Sequence, residues 1–162
     1  MHDIPGFAVR GAHEGDAALI LEFIRALAAY EQMDDQVVAT EAGLRDTLFV
    51  KRQAEVVIGE LEGEPVAFAL FFHNYSTFLG KAGLYLEDLF VKPAYRGRGI
   101  GRAMFTELAR IAVSRGCERM DWWCLDWNER SIRFYEQMGA EAMDEWTVYR
   151  LNKAALAKIN NS

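Results

Sequence analysis

The segment Leu84-Tyr85-Leu86-Glu87-Asp88-Leu89-Phe90-Val91-Lys92-Pro93-Ala94-Tyr95-Arg96-Gly97-Arg98-Gly99-Ile100-Gly101-Arg102 carries the reading that decides the fold. Leu84 to Val91 is dominated by apolar and aromatic residues and is closed by Lys92-Pro93, as a strand would be. Glycine then recurs at 97, 99 and 101. A helix follows from about Gly99 to Arg115, with Met104, Leu108, Ile111 and Ala112 on one face and Gly116 as its stop. A strand feeding a helix through a glycine-rich loop is a unit of an α/β sheet.

Upstream, Phe7 to Arg10 reads as a short strand, and Asp16 as the cap of a helix whose Ile20, Phe23, Ile24 and Leu27 share one face. A shorter helix begins after Thr40. Ala54 to Leu61 and Val66 to Phe72 form strands joined by a hairpin at Glu62-Gly63-Glu64-Pro65. Downstream, Arg119 to Leu125 is a strand, and Asn128 caps a helix that ends at Met138 before Gly139. Thr147 to Leu151 is a last strand before an Ala-rich helix. The order β-α-α-β-β-β-α-β-α-β implies an α/β fold with a mixed central sheet and flanking helices. No repeat or linker divides residues 1–162, which read as a single domain.

The net charge of −6 disfavours nonspecific binding to nucleic acid or to anionic membranes. It is unevenly divided: −9 from Met1 to Val91, +5 from Lys92 to Arg119 and −2 beyond. That division suggests one site for an anion and another for a cation. The longest apolar run, Val66 to Phe72, is far short of the roughly 20 residues that span a bilayer. The N-terminus shows no secretory pattern, so a soluble cytoplasmic protein is expected. Cys117 and Cys124, with His2, His13 and His73, make no metal-ligand pattern, and reduced cysteines without a metal are expected.

The anion site is the loop from Arg96 to Arg102. Its glycines allow tight turning and close approach, which frees N–H groups to face phosphate oxygens, and the following helix adds its positive end. Arg96, Arg98 and Arg102 supply charge and forked donors. The Walker loop requires Gly-Lys-Ser/Thr, which is absent, and the even glycine spacing does not match the dinucleotide fingerprint. A diphosphate ligand fits what remains.

Arg96-x-x-Gly99-x-Gly101, between strand and helix, resembles the acyl-CoA-binding motif of the GNAT family of N-acetyltransferases. The chain is most similar there to the diamine (spermidine/spermine) N-acetyltransferases, through residues 27–37, 84–91 and 95–101, Trp127-Asn128-Glu129 and Ser131-Ile132-Arg133-Phe134-Tyr135. The resemblance implies an acyl-CoA cleft between two splayed central strands, one ending at Val91 and the other running from Arg119. It implies that acetyl-CoA lays its pantetheine arm along the main chain of Leu89, Phe90 and Val91, as an added strand would lie. Gly97, Arg98, Gly99, Ile100, Gly101 and Arg102 would hold the pyrophosphate. Asn128 and Ser131 match cofactor-contacting positions, and Asn128 reads equally well as a helix cap.

An aliphatic ammonium has a pKa of about 10.4, so at pH 7 only about one molecule in 10³ to 10⁴ is the attacking amine, a deficit of roughly 4 to 5 kcal/mol. A base must help. Glu87 matches an acidic position at the family's active site, and Asp88 is its neighbour, set on the opposite face by strand alternation. Tyr135 matches the tyrosine that the family places near the CoA sulfur, where a phenol would assist thiolate departure. Backbone N–H groups near Leu89 would polarise the thioester carbonyl.

Tyr30-Glu31 and Met33-Asp34-Asp35 set an aromatic ring beside carboxylates, a combination suited to a cation. The residues matching Tyr30 and Glu31 bind amine in the diamine enzymes, and Trp122, Trp123, Glu145 and Trp146 would line the same region. One departure concerns the substrate: those enzymes carry an acid in the loop before the Glu87 strand, whereas His73-Asn74-Tyr75-Ser76-Thr77-Phe78 has none. The expectation is direct acetyl transfer from acetyl-CoA to a small primary amine, polyamine-like, by a homodimer. A lysine-like amino acid or other small amine as substrate, a protein N-terminus or lysine as acceptor, and a noncatalytic acyl-CoA sensor are the alternatives.

Overall fold

The computed structural model describes residues 3–162. The chain forms two compact units, one ending at Trp123 and the other spanning Cys124–Ser162.

The first unit is built on a five-stranded sheet in the order β1-β2-β3-β4-β5. Strands β1 (Phe7–Gly11), β2 (Glu55–Leu61), β3 (Glu64–Ser76) and β4 (Lys81–Val91) run antiparallel to their neighbours, and β5 (Met120–Asp121) lies parallel to β4. The β2–β3 hairpin turns on Glu62 and Gly63, both with positive φ, and is tighter than the four-residue turn expected. Pro65, which cannot donate to a ladder, falls inside β3 next to a register shift at Gly59/Glu60. The β3–β4 ladder continues through His73–Ser76 and Lys81–Gly83, where a loop was expected, and closes over Thr77–Gly80.

Helix α1 (Ala17–Tyr30) covers one face of this sheet. Its Ile20 and Phe23 join Leu48, Val56, Ile58, Phe68 and Phe90 in one buried cluster. The rings of Phe23 and Phe68 stack at 5.0 Å, and Phe90 meets Phe23 edge-on at 6.5 Å. Asp16 does not cap α1 through its side chain. Its carboxylate instead accepts from the Arg10 guanidinium at 2.8 and 3.0 Å and from the His13 N–H at 2.8 Å, because a buried charge needs several donors. Thr40 caps the short helix α2 (Glu41–Leu44), which continues as a π-helical segment, Arg45–Val50. Helix α3 (Ile100–Ser114) buries Ile100, Met104, Phe105, Leu108, Ile111 and Ala112 against the sheet's other face.

In the second unit, helix α4 (Glu129–Gln137) is capped by Asn128 and followed by Gly139 at φ +92°, and α5 (Lys153–Asn160) is capped by Asn152. Thr147–Leu151 is not a strand: Val148, Tyr149 and Leu151 are exposed and in no ladder. Local β propensity without a hydrogen-bonding neighbour does not hold a strand. Cys117 is buried, and Cys124 is half-buried with its thiol donating to the Leu125 C=O at 3.6 Å. No helix of the described residues is long and apolar enough to cross a membrane.

Phe68 is fully buried between Phe23 and its neighbours. Phe68→Ala should cost about 3–5 kcal/mol in urea unfolding. Phe78→Ser, at a fully exposed position, should stay within about 0.5 kcal/mol of wild type.

Candidate active site

The glycine loop begins where β4 ends. After Val91 the chain makes a 3-10 turn at Pro93–Tyr95, runs extended at Arg96, and enters α3 through Gly97 (φ +78°) and Gly99 (φ +83°). Both glycines lie in the left-handed region, where a side chain would strain the backbone. Nothing stands within 4 Å of where a Cβ at Gly97 would be, so the requirement there is conformational and the space outside is open. Ala103 N–H donates to Gly99 C=O at 3.0 Å, and the N–H groups before it, in the first turn, have no helical acceptor. These free donors and the helix's positive end fit the diphosphate of an acyl-CoA.

The loop arginines differ in direction. Arg96 turns back: its Nε–H donates to Val91 C=O at 3.0 Å, and its guanidinium lies over the rings of Tyr30 (4.9 Å) and Phe90 (5.3 Å). It ties the loop to the end of β4 and to the last turn of α1. Arg98 lies over the Tyr95 ring at 5.2 Å, and Arg102 is exposed on the first turn of α3.

Strand β5 pairs with β4 only at Leu84↔Met120 and Tyr85↔Asp121. Among the described residues no strand takes the β4 edge from Leu86 to Val91, so no ladder uses its main-chain groups there, as the addition of an extended ligand would require. On the other side of β4 the register jumps: Leu70 faces Asp88, and Phe71 faces Leu86. Glu87 is therefore the extra residue of a β-bulge. The bulge reverses side-chain parity, so that Tyr85, opposite Phe72, and Asp88 and Phe90, opposite Leu70 and Phe68, all fall on the α1 face. The strict alternation that would separate Glu87 from Asp88 does not hold through this point.

The charges respond accordingly. Burial, then the Glu87 and Glu31 carboxylates, push the Asp88 carboxyl up to about 7. Burial and then Glu87 raise the Glu31 carboxyl. The Tyr85 phenol is pushed up to about 12 by burial, then by Glu87 and Asp121. Glu87 is thus the common neighbour of Glu31, Tyr85 and Asp88. Exposed Glu87 with half-buried Glu31 and Asp88, beside a strand edge that no ladder uses and a glycine loop rich in free N–H groups, is an arrangement suited to bringing a cation to an anionic acyl donor.

The acetyltransferase (GNAT) family model matches residues 21–140. The chain belongs to that family. It is an N-acetyltransferase, and the family implies acetyl-CoA as co-substrate. A thialysine N-epsilon-acetyltransferase of Bos taurus is 36% identical over 163 residues, covering 93% of this chain and 95% of that protein. An L-ornithine N5-acetyltransferase of Arabidopsis thaliana is 32% identical over 198 residues, covering 94% and 87%. Among solved structures, an integron cassette protein of V. cholerae is similar with a TM-score of 0.81 and 25% identity, over 97% of this chain and 99% of that one.

Within this GNAT chain the structure brings together Glu31, Glu87 and Asp88, with Tyr30 held under Arg96. Trp123 joins through Tyr85, whose ring it meets edge-on at 6.4 Å. Trp122 does not join. Alternation along the chain sends it to the other face of the sheet, where it packs against Phe105 of α3 at 5.2 Å. In the second unit, the Asn128 side chain accepts from the Ser131 N–H at 3.4 Å, which is the capping role. Tyr135 is half-buried, with its ring 5.7 Å from that of Phe134, and Glu145 is exposed.

Sequence reasoning missed Asp121. It is the register partner of Tyr85, and its Oδ2 accepts from Asn74 Nδ2 and lies near Arg119 Nε, each at 3.4 Å. Asn74 reaches across β4 at Gly83, where a Cβ would come within 2.5 Å of its Oδ1. The signal was the odd-numbered run 119, 121, 123 on the face that Tyr85 shares.

Asp88 binds its proton more tightly folded than unfolded, so between the ordinary aspartate range and about pH 7 the folded state holds more protons. Stability should fall as pH rises through that window, by at most about 1.4 kcal/mol per pH unit, and level off above it. Asp88→Asn should remove that slope in urea unfolding measured from pH 4 to 8.

Proposed function

We propose that the chain transfers the acetyl group of acetyl-CoA directly to a terminal primary amine of a small substrate that carries a second cation. The observation that carries this reading is the cluster of Glu31, Glu87 and Asp88 on the α1 face, beside the unpaired edge of β4. Three carboxylates in mutual repulsion gain by taking up an ammonium. In the reaction the bound ammonium first gives up one proton, the freed amine nitrogen forms the new C–N bond, the thioester C–S bond breaks, and a second proton leaves the nitrogen as CoA departs as its thiol, so that one proton in net is released.

The Glu87/Asp88 pair accepts the first of these protons, directly or through water, and passes it to solvent. Asp88 is suited to the task because a carboxyl near 7 is basic enough to take a proton at neutral pH and acidic enough to lose it again. Tyr135, as phenol, protonates the leaving thiolate, and backbone N–H groups near Leu89 polarise the carbonyl. The Gly97–Arg102 loop holds the diphosphate, with Arg96 keeping it in register with β4. We extend the proposal to a homodimer, for which light scattering showing a stable monomer would be the contrary result.

A polyamine or simple diamine is the first substrate reading. A lysine-like diamino acid is the second, and the names of the Bos taurus and Arabidopsis relatives favour it.

CoA release with putrescine, spermidine, L-ornithine and L-lysine tests the reading, and at least one should turn over well above hydrolysis. Asp88→Asn and Tyr135→Phe should each lower kcat by about 10²-fold or more, with acetyl-CoA affinity unchanged by calorimetry. Unchanged turnover in either variant removes that residue's role.

A further inference from the structure

Asp121 and Arg119 sit at the point where β5 parts from β4, on the same face as the acid cluster. Their contact is loose: 3.4 Å, with the side chains 42% and 45% exposed. A pair of that kind contributes little to stability and opens readily to other partners. Only Oδ2 of Asp121 is engaged, by Arg119 and Asn74, and Oδ1 has no partner among the described residues. The terminal guanidinium nitrogens of Arg119 are likewise without a partner there. One negative and one positive group, each with unused hydrogen-bonding capacity, therefore lie side by side within reach of the transfer site.

That reach can be sized. Glu87 and Tyr85 are two residues apart on β4, about 6.6 Å, and Asp121 lies one strand across from Tyr85, about 4.8 Å, so the Cα atoms of Glu87 and Asp121 are about 8 Å apart. The Tyr85 phenol, lying between, is raised by burial first and then by both carboxylates. The ε- and α-nitrogens of lysine are six bonds apart, about 7.5 Å when extended. An amine presented to Glu87 and Asp88 would thus bring its far end to Asp121.

We propose that Asp121 and Arg119 form a head-group site for the α-ammonium and α-carboxylate of the substrate, making this chain selective for lysine- or ornithine-like diamino acids over polyamines. The assignment rests on the acetyl-transfer reading above and selects between its two substrates. Arg119 discriminates: it offers forked donors to a carboxylate and repels the extra ammonium that a polyamine would bring there. Trp123 and Tyr85 provide aromatic surface beside Asp121 for the cationic half. The neutral Asn74 supports Asp121 from β3, in the segment where the diamine enzymes carry an acid. The second carboxylate of the site comes from β5 instead.

The test uses L-lysine, pentane-1,5-diamine, which lacks the carboxylate, and 6-aminohexanoate, which lacks the α-ammonium. Wild-type kcat/KM should favour lysine over both by about tenfold or more. Asp121→Asn should lower kcat/KM for lysine and for the diamine about tenfold through KM, and leave 6-aminohexanoate unchanged. Arg119→Gln should weaken lysine and 6-aminohexanoate and spare the diamine. A wild-type preference for pentane-1,5-diamine or spermidine overturns the assignment, as do variants that lose all three amines alike, since that is the mark of a structural role. Absence of CoA release with every amine would instead overturn the acetyl-transfer reading itself.

Discussion

The single extra residue at Glu87 is the constraint on which the site depends. An antiparallel ladder fixes which face each side chain takes, and one inserted residue exchanges the faces for everything beyond it. Below the bulge, Leu84 and Leu86 are buried and Tyr85 faces α1; above it, Asp88 and Phe90 take the α1 side. Without the insertion Asp88 would be turned away from Glu31 and Phe90 away from Phe23 and Phe68. The same irregularity therefore seats an aromatic in the core and two acids at its rim, which ties the stability of the α1 face to the electrostatics of the site.

That coupling sets a cost. Holding Asp88 half-buried between two other carboxylates raises its proton affinity by disfavouring its charged form, so the folded chain carries repulsion that an apolar residue would not bring. Structural needs do not explain such an arrangement: the core beneath is already filled by Phe23, Phe68 and Phe90. A cationic substrate relieves the repulsion on binding. In the proposed reading, part of the affinity then comes from repulsion already present in the protein rather than from new contacts alone.

The element order, the strand–loop–helix unit and the α1 face were legible because each rests on periodicity or on glycine placement, which are local. Ile20 and Phe23 of α1, and Met104, Leu108 and Ile111 of α3, are buried as their spacing requires. What was illegible depends on pairing. The bulge leaves no mark in Leu86-Glu87-Asp88-Leu89, which reads as ordinary alternation broken by two acids. Thr147–Leu151 has the composition of a strand, but composition supplies no neighbour. Trp122 and Trp123 are indistinguishable as letters, and only the register of Met120–Asp121 against Leu84–Tyr85 decides which ring goes to the core. Asp121 went unread for the same reason, since its meaning comes from Tyr85 across the ladder.

The division of charge along the chain also takes on a sharper form. The basic stretch from Lys92 to Arg119 looked like a single anion-binding segment, yet its arginines serve different ends. Arg96 is turned inward over Tyr30 and Phe90, where it orders the loop instead of extending from it, and in the proposed reading the loop holds its anion through glycine N–H groups and the start of α3. Arg115, at the far end of α3, pairs with Glu55 at 2.6 and 2.9 Å. Arg119 closes the stretch beside Asp121. Formal charge counted along the sequence therefore overstates what faces a phosphate and understates the backbone. In the proposed reading, neutral N–H donors at the start of α3 contribute much of the attraction for a diphosphate, which leaves Arg96 to tie the loop to the end of β4 and to α1.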